Sequence, residues 1–183
     1  RSSVRLAWII MLLLAIRGVH LNAEDVKSFG IQHAKEVGCL HIDGATGHEE
    51  KNEDRITLHY RLPPKAIVGL WTKGFPLEVN RFDELIVNMN EDSGSTGSRQ
   101  VEVEVKGDRG LQKISFGPFS KRKSETIAVD WETIGSLQEI IFLIQSQETQ
   151  GEITGVMELS LSFKAFPFLK KHSHSLMGKA KLL

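Results

Sequence analysis

Three kinds of residue in this chain could do chemistry: a tryptophan at a strand end, acids at alternating positions, and a loop rich in acids and histidine. Trp71 closes the apolar run AIVGLW and is followed by Thr72, Lys73 and Gly74. An indole placed there offers a large flat contact area of the sort that stacks on sugar rings. Its alternative role is packing. Glu102 and Glu104 alternate with valines in QVEVEVKG, and Glu158 alternates with Ser160 and Ser162 in VMELSLSF. On the wet side of a concave sheet, such groups can hydrogen-bond sugar hydroxyls; on any other sheet they are a solvated face. Trp71, Glu102, Glu104 and Glu158 are the candidate carbohydrate-binding residues.

Hydrolysis of a glycosidic bond needs an acid paired with a base or nucleophile across that bond. Glu102 and Glu104 lie about 7 Å apart along one strand, at ~3.4 Å per residue. Nothing in the sequence isolates them as such a pair. The chain has no P-loop, GxGxxG, GxSxG or HExxH, so no enzyme signature competes. Cys39 is the only cysteine and reads as a buried or spare thiol. Asp43 and Asp54 bound the stretch DGATGHEEKNED and are candidates for a structural calcium, together with loop carbonyls. His41, just before that stretch, and Asp43, His48, Glu49 and Glu50 within it form a zinc-type donor set. His172 and His174 have no further donors near them in sequence. No cofactor is required on this reading.

The elements that must position these groups are strands. RITLHYRL (55–62) puts Ile56, Leu58, Tyr60 and Leu62 on one face, and Pro63-Pro64 ends it because neither can donate to a ladder. Residues 66–71, 82–90, 100–107, 111–116 and 125–131 follow as further strands. In the fifth of these, Ile127, Val129 and Trp131 share a parity, which assigns Trp131 to the core. Residues 140–144 are apolar without a break and read as a central strand, one face in the core and the other against a loop or an apolar ligand-facing surface. VMELSLSF closes the series with Met157, Leu159, Leu161 and Phe163 inward. Residues 24–38 read as a short mixed segment with a helical turn or two, and 43–54 as a loop. About eight short strands with frequent turn signals and no long amphipathic helix predict an all-β sandwich or barrel.

The blocks IDGATG, ITLHYRLPPKAIVGLW, FDELIVNMN, TIAVDWETIGSLQEIIFLIQ and GEITGVMELSLSF together resemble the galactose-binding-like jelly roll found in non-catalytic carbohydrate-binding modules, over residues 41–166. The resemblance implies an antiparallel jelly-roll β-sandwich that binds a carbohydrate polymer or glycan. A structural or protein-interaction domain of a larger extracellular or cell-surface system is the alternative. The closing strand carries Glu158 where such modules often have paired aspartates.

Residues 1–23 have basic residues at Arg1 and Arg5, an apolar run of 11 residues from Leu6 to Ile16, and then a polar stretch. That is the layout of a secretory signal peptide. As a helix the run spans only about 16 Å, short of a bilayer core, so the chain is not expected to be integral to a membrane. The implied location is secreted, periplasmic or cell-surface. The domain plan is then a signal peptide (1–23), a lead-in and loop (24–54), the jelly roll (55–168) and a disordered basic tail (169–183). The 23 basic and 23 acidic residues balance, which argues against a nucleic-acid partner.

Overall fold

Alternating apolar residues dictate strands, and strands with one greasy side must cover that side with another sheet. In the computed structural model, which describes residues 29–92, 94–95, 97–118 and 122–164, eleven strands do this in two antiparallel sheets. The expected signal peptide and basic tail lie outside the described residues.

The strands are β1 (Phe29–Gly30), β2 (Glu36–Ile42), β3 (Thr46–Lys51), β4 (Ile56–Leu62), β5 (Ile67–Lys73) and β6 (Glu84–Glu91). They continue as β7 (Arg99–Gly107), β8 (Leu111–Pro118), β9 (Arg122–Ala128), β10 (Leu137–Ser146) and β11 (Ile153–Lys164). One sheet runs β3-β4-β11-β6-β9, with β1 pairing the far end of β11; the other runs β2-β5-β10-β7-β8. From β4 to β7 and again from β8 to β11 the chain changes sheet at every connection, giving the jelly-roll sandwich.

The core is the sum of the inward parities. Ile56, Leu58 and Leu62, then Leu85 and Val87, and Met157, Leu159 and Phe163 come from the six-stranded sheet. Val68, Leu70, Val101, Val103, Val105, Ile140, Phe142 and Ile144 face them from the five-stranded one. Thr72 is the buried polar exception on β5. Its hydroxyl bonds the carbonyl of Ile140 at 3.2 Å, so no polar atom is stranded there. Short elements close the ends of the sandwich, burying Ile31, Val79 and Ile134.

The sandwich takes in more of the amino-terminal part than the sequence reading allowed, because the segment assigned as lead-in and loop supplies three strands. The expected helical turn is present as a single 3-10 turn at Ile31–His33, and β2 follows it where no strand was expected, its inward residues Val37 and Cys39 packing on the core. β3 falls inside the expected loop. Its six residues, TGHEEK, are polar on both faces, because it is an edge strand with charges at its margin. Hydrophobic alternation is absent where neither face is fully buried, so the usual signal has nothing to act on.

Trp131 also differs from expectation. β9 ends at Ala128, and Trp131 opens a single helical turn, α1 (Trp131–Ile134), capped by Asp130. The Asp130 carboxylate accepts from the Thr133 amide at 3.1 Å and the Thr133 hydroxyl at 2.7 Å. Those bonds hold it below the usual carboxylate range. Trp131 still packs against the core, with its indole N–H donating to the Phe82 carbonyl at 2.7 Å. Its packing is set by a cap and a turn rather than by strand parity.

Candidate ligand-binding faces

β10 occupies the centre of the five-stranded sheet, and its unbroken apolar run resolves into two roles. Ile140, Phe142 and Ile144 are buried in the sandwich, while Ile141 and Leu143 are partly exposed on the outer face. Strand register then assembles that face row by row. Gly38, Trp71, Ile141, Glu104 and Lys113 stand side by side across five strands. The next row is Leu40, Gly69, Leu143, Glu102 and Ser115. Ile42, Ile67, Gln145 and Gln100 form a third. Trp71, Glu102 and Glu104 are therefore brought onto one surface from distant parts of the chain. Trp71 and Glu104 sit two strand spacings apart, about 10 Å.

Two glycines shape the floor. A side chain at position 38 would begin 2.5 Å from Cζ2 of Trp71, so the indole is laid across β2 where Gly38 leaves room. At position 69 a Cβ would meet Leu143 Cδ2 at 2.9 Å and Leu40 Cδ2 at 3.2 Å, so those two leucines close over bare backbone. The result is an apolar half on β2, β5 and β10.

A polar half lies on β7 and β8. Lys113 reaches both carboxylates of β7, with Nζ 3.6 Å from Glu102 and in closer contact with Glu104. The hydrogen bond and charge of Glu104 push the Lys113 ammonium up from its ordinary pKa. Gln100 donates to the Ser115 hydroxyl at 2.6 Å. At the end of the face nearest Trp71, Glu139 lies between Lys73, at 3.2 Å, and Lys106, at 3.9 Å. The same Lys73 ammonium stands 4.9 Å from the Trp71 ring centroid. A ligand stacking on that ring has to turn this lysine aside.

Glu158 is not part of this surface. It lies on the outer face of the six-stranded sheet, among Asn88, Asn90, Ser124 and Ser160, in a groove of about 310 Å³. Asn90 donates to Glu158 at 3.4 Å, Ser124 donates to Asn88 at 2.6 Å, and Arg55 stands 3.7 Å from Glu158. Alternation alone could not separate Glu158 from Glu102 and Glu104. Each faces outward from its own strand, and only sheet assignment shows that the strands lie on opposite sides of the molecule.

The two aspartates considered for calcium are also separated. Asp43 occupies the turn before β3 with φ 57°, and Asp54 follows β3 and pairs with Arg55 at 3.2 Å. Six residues of extended chain stand between those turns, about 17 Å at ~3.4 Å per residue, so either aspartate would hold a calcium ion with the carbonyls of its own turn. The mixed His–Asp–Glu loop set is likewise divided by strand parity. Glu49 turns inward to accept from the Cys39 thiol at 2.8 Å, and His41 bonds the Gly47 carbonyl at 3.0 Å. His48 and Glu50 face outward toward His59 of β4.

No model of a known protein family matches the chain, and no curated protein matches it. Solved structures of similar shape include several carbohydrate-binding modules and the enzymatically active domain of tailspike protein 4 of bacteriophage CBA120. The family 11 module from Clostridium thermocellum, solved with a β-1,3-1,4-mixed-linked tetrasaccharide, aligns at 10% identity and TM-score 0.48, over 75% of this chain and 95% of that chain. The CBM22-1 xylan-binding domain of Paenibacillus barcinonensis Xyn10C aligns at 7% and 0.44, over 78% and 96%. The mannan-recognising module TmCBM27 aligns at 13% and 0.41, over 70% and 90%. Among the described residues, no helix is long and apolar enough to cross a membrane.

Proposed function

We propose that this protein is a non-catalytic carbohydrate-binding module whose glycan lies across the outer face of the five-stranded sheet. The supporting observation is the row Trp71–Ile141–Glu104, where an indole and a carboxylate share one surface with apolar floor between them. A glycan has apolar C–H faces and hydroxyl edges. Trp71 and the aliphatic floor suit the former; Glu102, Glu104, Gln100 and Gln145 suit the latter. Glu102 and Glu104 point the same way from one strand and are bridged by Lys113, an arrangement that suits hydrogen bonding to glycan hydroxyls. Export belongs to this reading on the strength of residues 1–23, and sequencing the amino terminus of protein recovered outside the cytoplasm tests it.

Binding is tested by affinity electrophoresis on soluble glycans and pull-down on insoluble ones. Retention on at least one glycan is expected. Trp71→Ala should weaken it at least tenfold, about 1.4 kcal/mol, while Glu158→Gln, on the opposite face, should leave it unchanged. No retention on any glycan, or retention indifferent to Trp71→Ala, refutes the assignment.

A second reading, a protein-binding face, is favoured by one observation. Five aliphatic side chains (Leu40, Ile42, Ile67, Ile141 and Leu143) accompany the single indole there. It predicts no glycan retention and a protein partner whose capture is lost on Leu143→Lys.

A further inference from the structure

Outside that face, the edge pair β3–β4 carries a cluster the glycan reading does not use. His48 and His59 are direct cross-strand partners, and Glu50 lies two residues along β3, on the same outward face as His48. The imidazole rings stack in parallel with centroids 4.6 Å apart. Glu50 Oε1 lies 3.8 Å from His48 Nε2 and 3.7 Å from His59 Nε2, and a donor atom from each of the three residues falls within 4.8 Å of the others. We propose that His48, Glu50 and His59 form a binding site for a divalent transition-metal ion, with zinc as the type ion.

Chemistry and geometry both support the assignment. Two imidazoles and one carboxylate are a zinc donor set that leaves a fourth position for water. A tetrahedral ion with bonds of about 2.0–2.1 Å holds its donors roughly 3.3 Å apart. The present separations to Glu50 are therefore about half an ångström too wide, a gap that side-chain rotation closes. All three side chains are free to make that rotation, with exposures of 66% for His48, 62% for Glu50 and 35% for His59. Cross-strand register, not loop flexibility, holds their backbones at the spacing. Arg61, on the same outward face of β4 as His59, is paired with Glu152 at 2.5 Å. Imidazole nitrogens favour zinc, nickel or copper over calcium or magnesium. An ion held this way ties edge strand β3 to β4 and covers part of an exposed sheet margin.

The experiment is calorimetric titration of the full chain with zinc chloride and, separately, calcium chloride at neutral pH. Because His172 and His174 could also take zinc, the His172→Ala/His174→Ala chain is titrated as well. One zinc per chain is expected on the β3–β4 pair. It should persist in the His172→Ala/His174→Ala chain and weaken at least tenfold in His48→Ala and in His59→Ala, with no calcium heat at this site. Thermal melts give a second readout: zinc should raise Tm in the wild type and not in His59→Ala. The proposal is overturned if the His172→Ala/His174→Ala chain takes no zinc. Unchanged affinity in the His48→Ala and His59→Ala proteins overturns it equally.

Discussion

At the scale of single residues, the environment of Cys39 decides what its sulfur can do. Burial, the hydrogen bond to Glu49 and the charge of that carboxylate together push the thiol from 9.0 up to about 12. A thiol nucleophile must ionise, and this one is held protonated. That rise cuts the thiolate population near pH 8 by about a thousandfold. Ellman's reagent should therefore modify Cys39 in the native protein slower by two to three orders of magnitude than in urea, and comparable rates in the two states would contradict the assignment. The sequence reading of Cys39 as a buried or spare thiol agrees with this. Its physical cause lies in Glu49, ten residues away, which strand pairing brings alongside.

Elements set what the residues can form together, and the β2–β5 pair shows how. Trp71 is available as a flat surface only because position 38 of the adjacent strand has no Cβ. Gly38→Ala should overpack this contact, costing about 1–3 kcal/mol and lifting the indole from the sheet. A red shift in tryptophan emission and weaker glycan retention, in a protein that still unfolds cooperatively, would mark that outcome. An unchanged emission spectrum with unchanged binding would show that the ring does not depend on Gly38. The same scale explains why Trp71 was visible as a candidate while its floor was not. Ile141 and Leu143 were legible as apolar residues of a strand with no wet side. That Leu40 and Ile42 join them required β2 to be a strand, and Gly38 and Cys39 had no alternating pattern strong enough to announce it.

For the whole molecule, the two sheets are joined by a buried polar network as well as by apolar packing. Tyr60 on β4 donates to Glu91 on β6, and Glu91 accepts from Arg99 on β7 at 2.9 Å and 2.6 Å. The Glu91 and Arg99 side chains are 1% and 7% exposed. Desolvation, then the Glu91 hydrogen bond, raises the Tyr60 phenol well above its ordinary pKa. Removing one partner strands a buried charge. Arg99→Met should lower unfolding free energy by about 3–5 kcal/mol in urea titration. Replacing the group together (Tyr60→Phe, Glu91→Leu, Arg99→Met) should recover part of that loss, because the buried charges of Glu91 and Arg99 are removed together. A single Arg99→Met substitution that costs under about 1 kcal/mol would mean the pair is not desolvated as its exposure indicates.

The sequence by itself determined the strand content from β4 to β11, the inward parity of Ile56–Leu62 and of Met157–Phe163, and the sandwich class, because period-two alternation follows directly from burying one side of a strand. It also nominated Trp71, Glu102, Glu104 and Glu158, since outward parity and side-chain chemistry are both local. Tertiary structure alone decided which of them share a surface. Glu158 went to the opposite sheet, Gly38 and Gly69 became the bed of an apolar floor, and His59 completed a donor set begun by His48 and Glu50. These depend on which strands pair and in what register, and pairing between strands far apart in sequence leaves no periodic mark in either one.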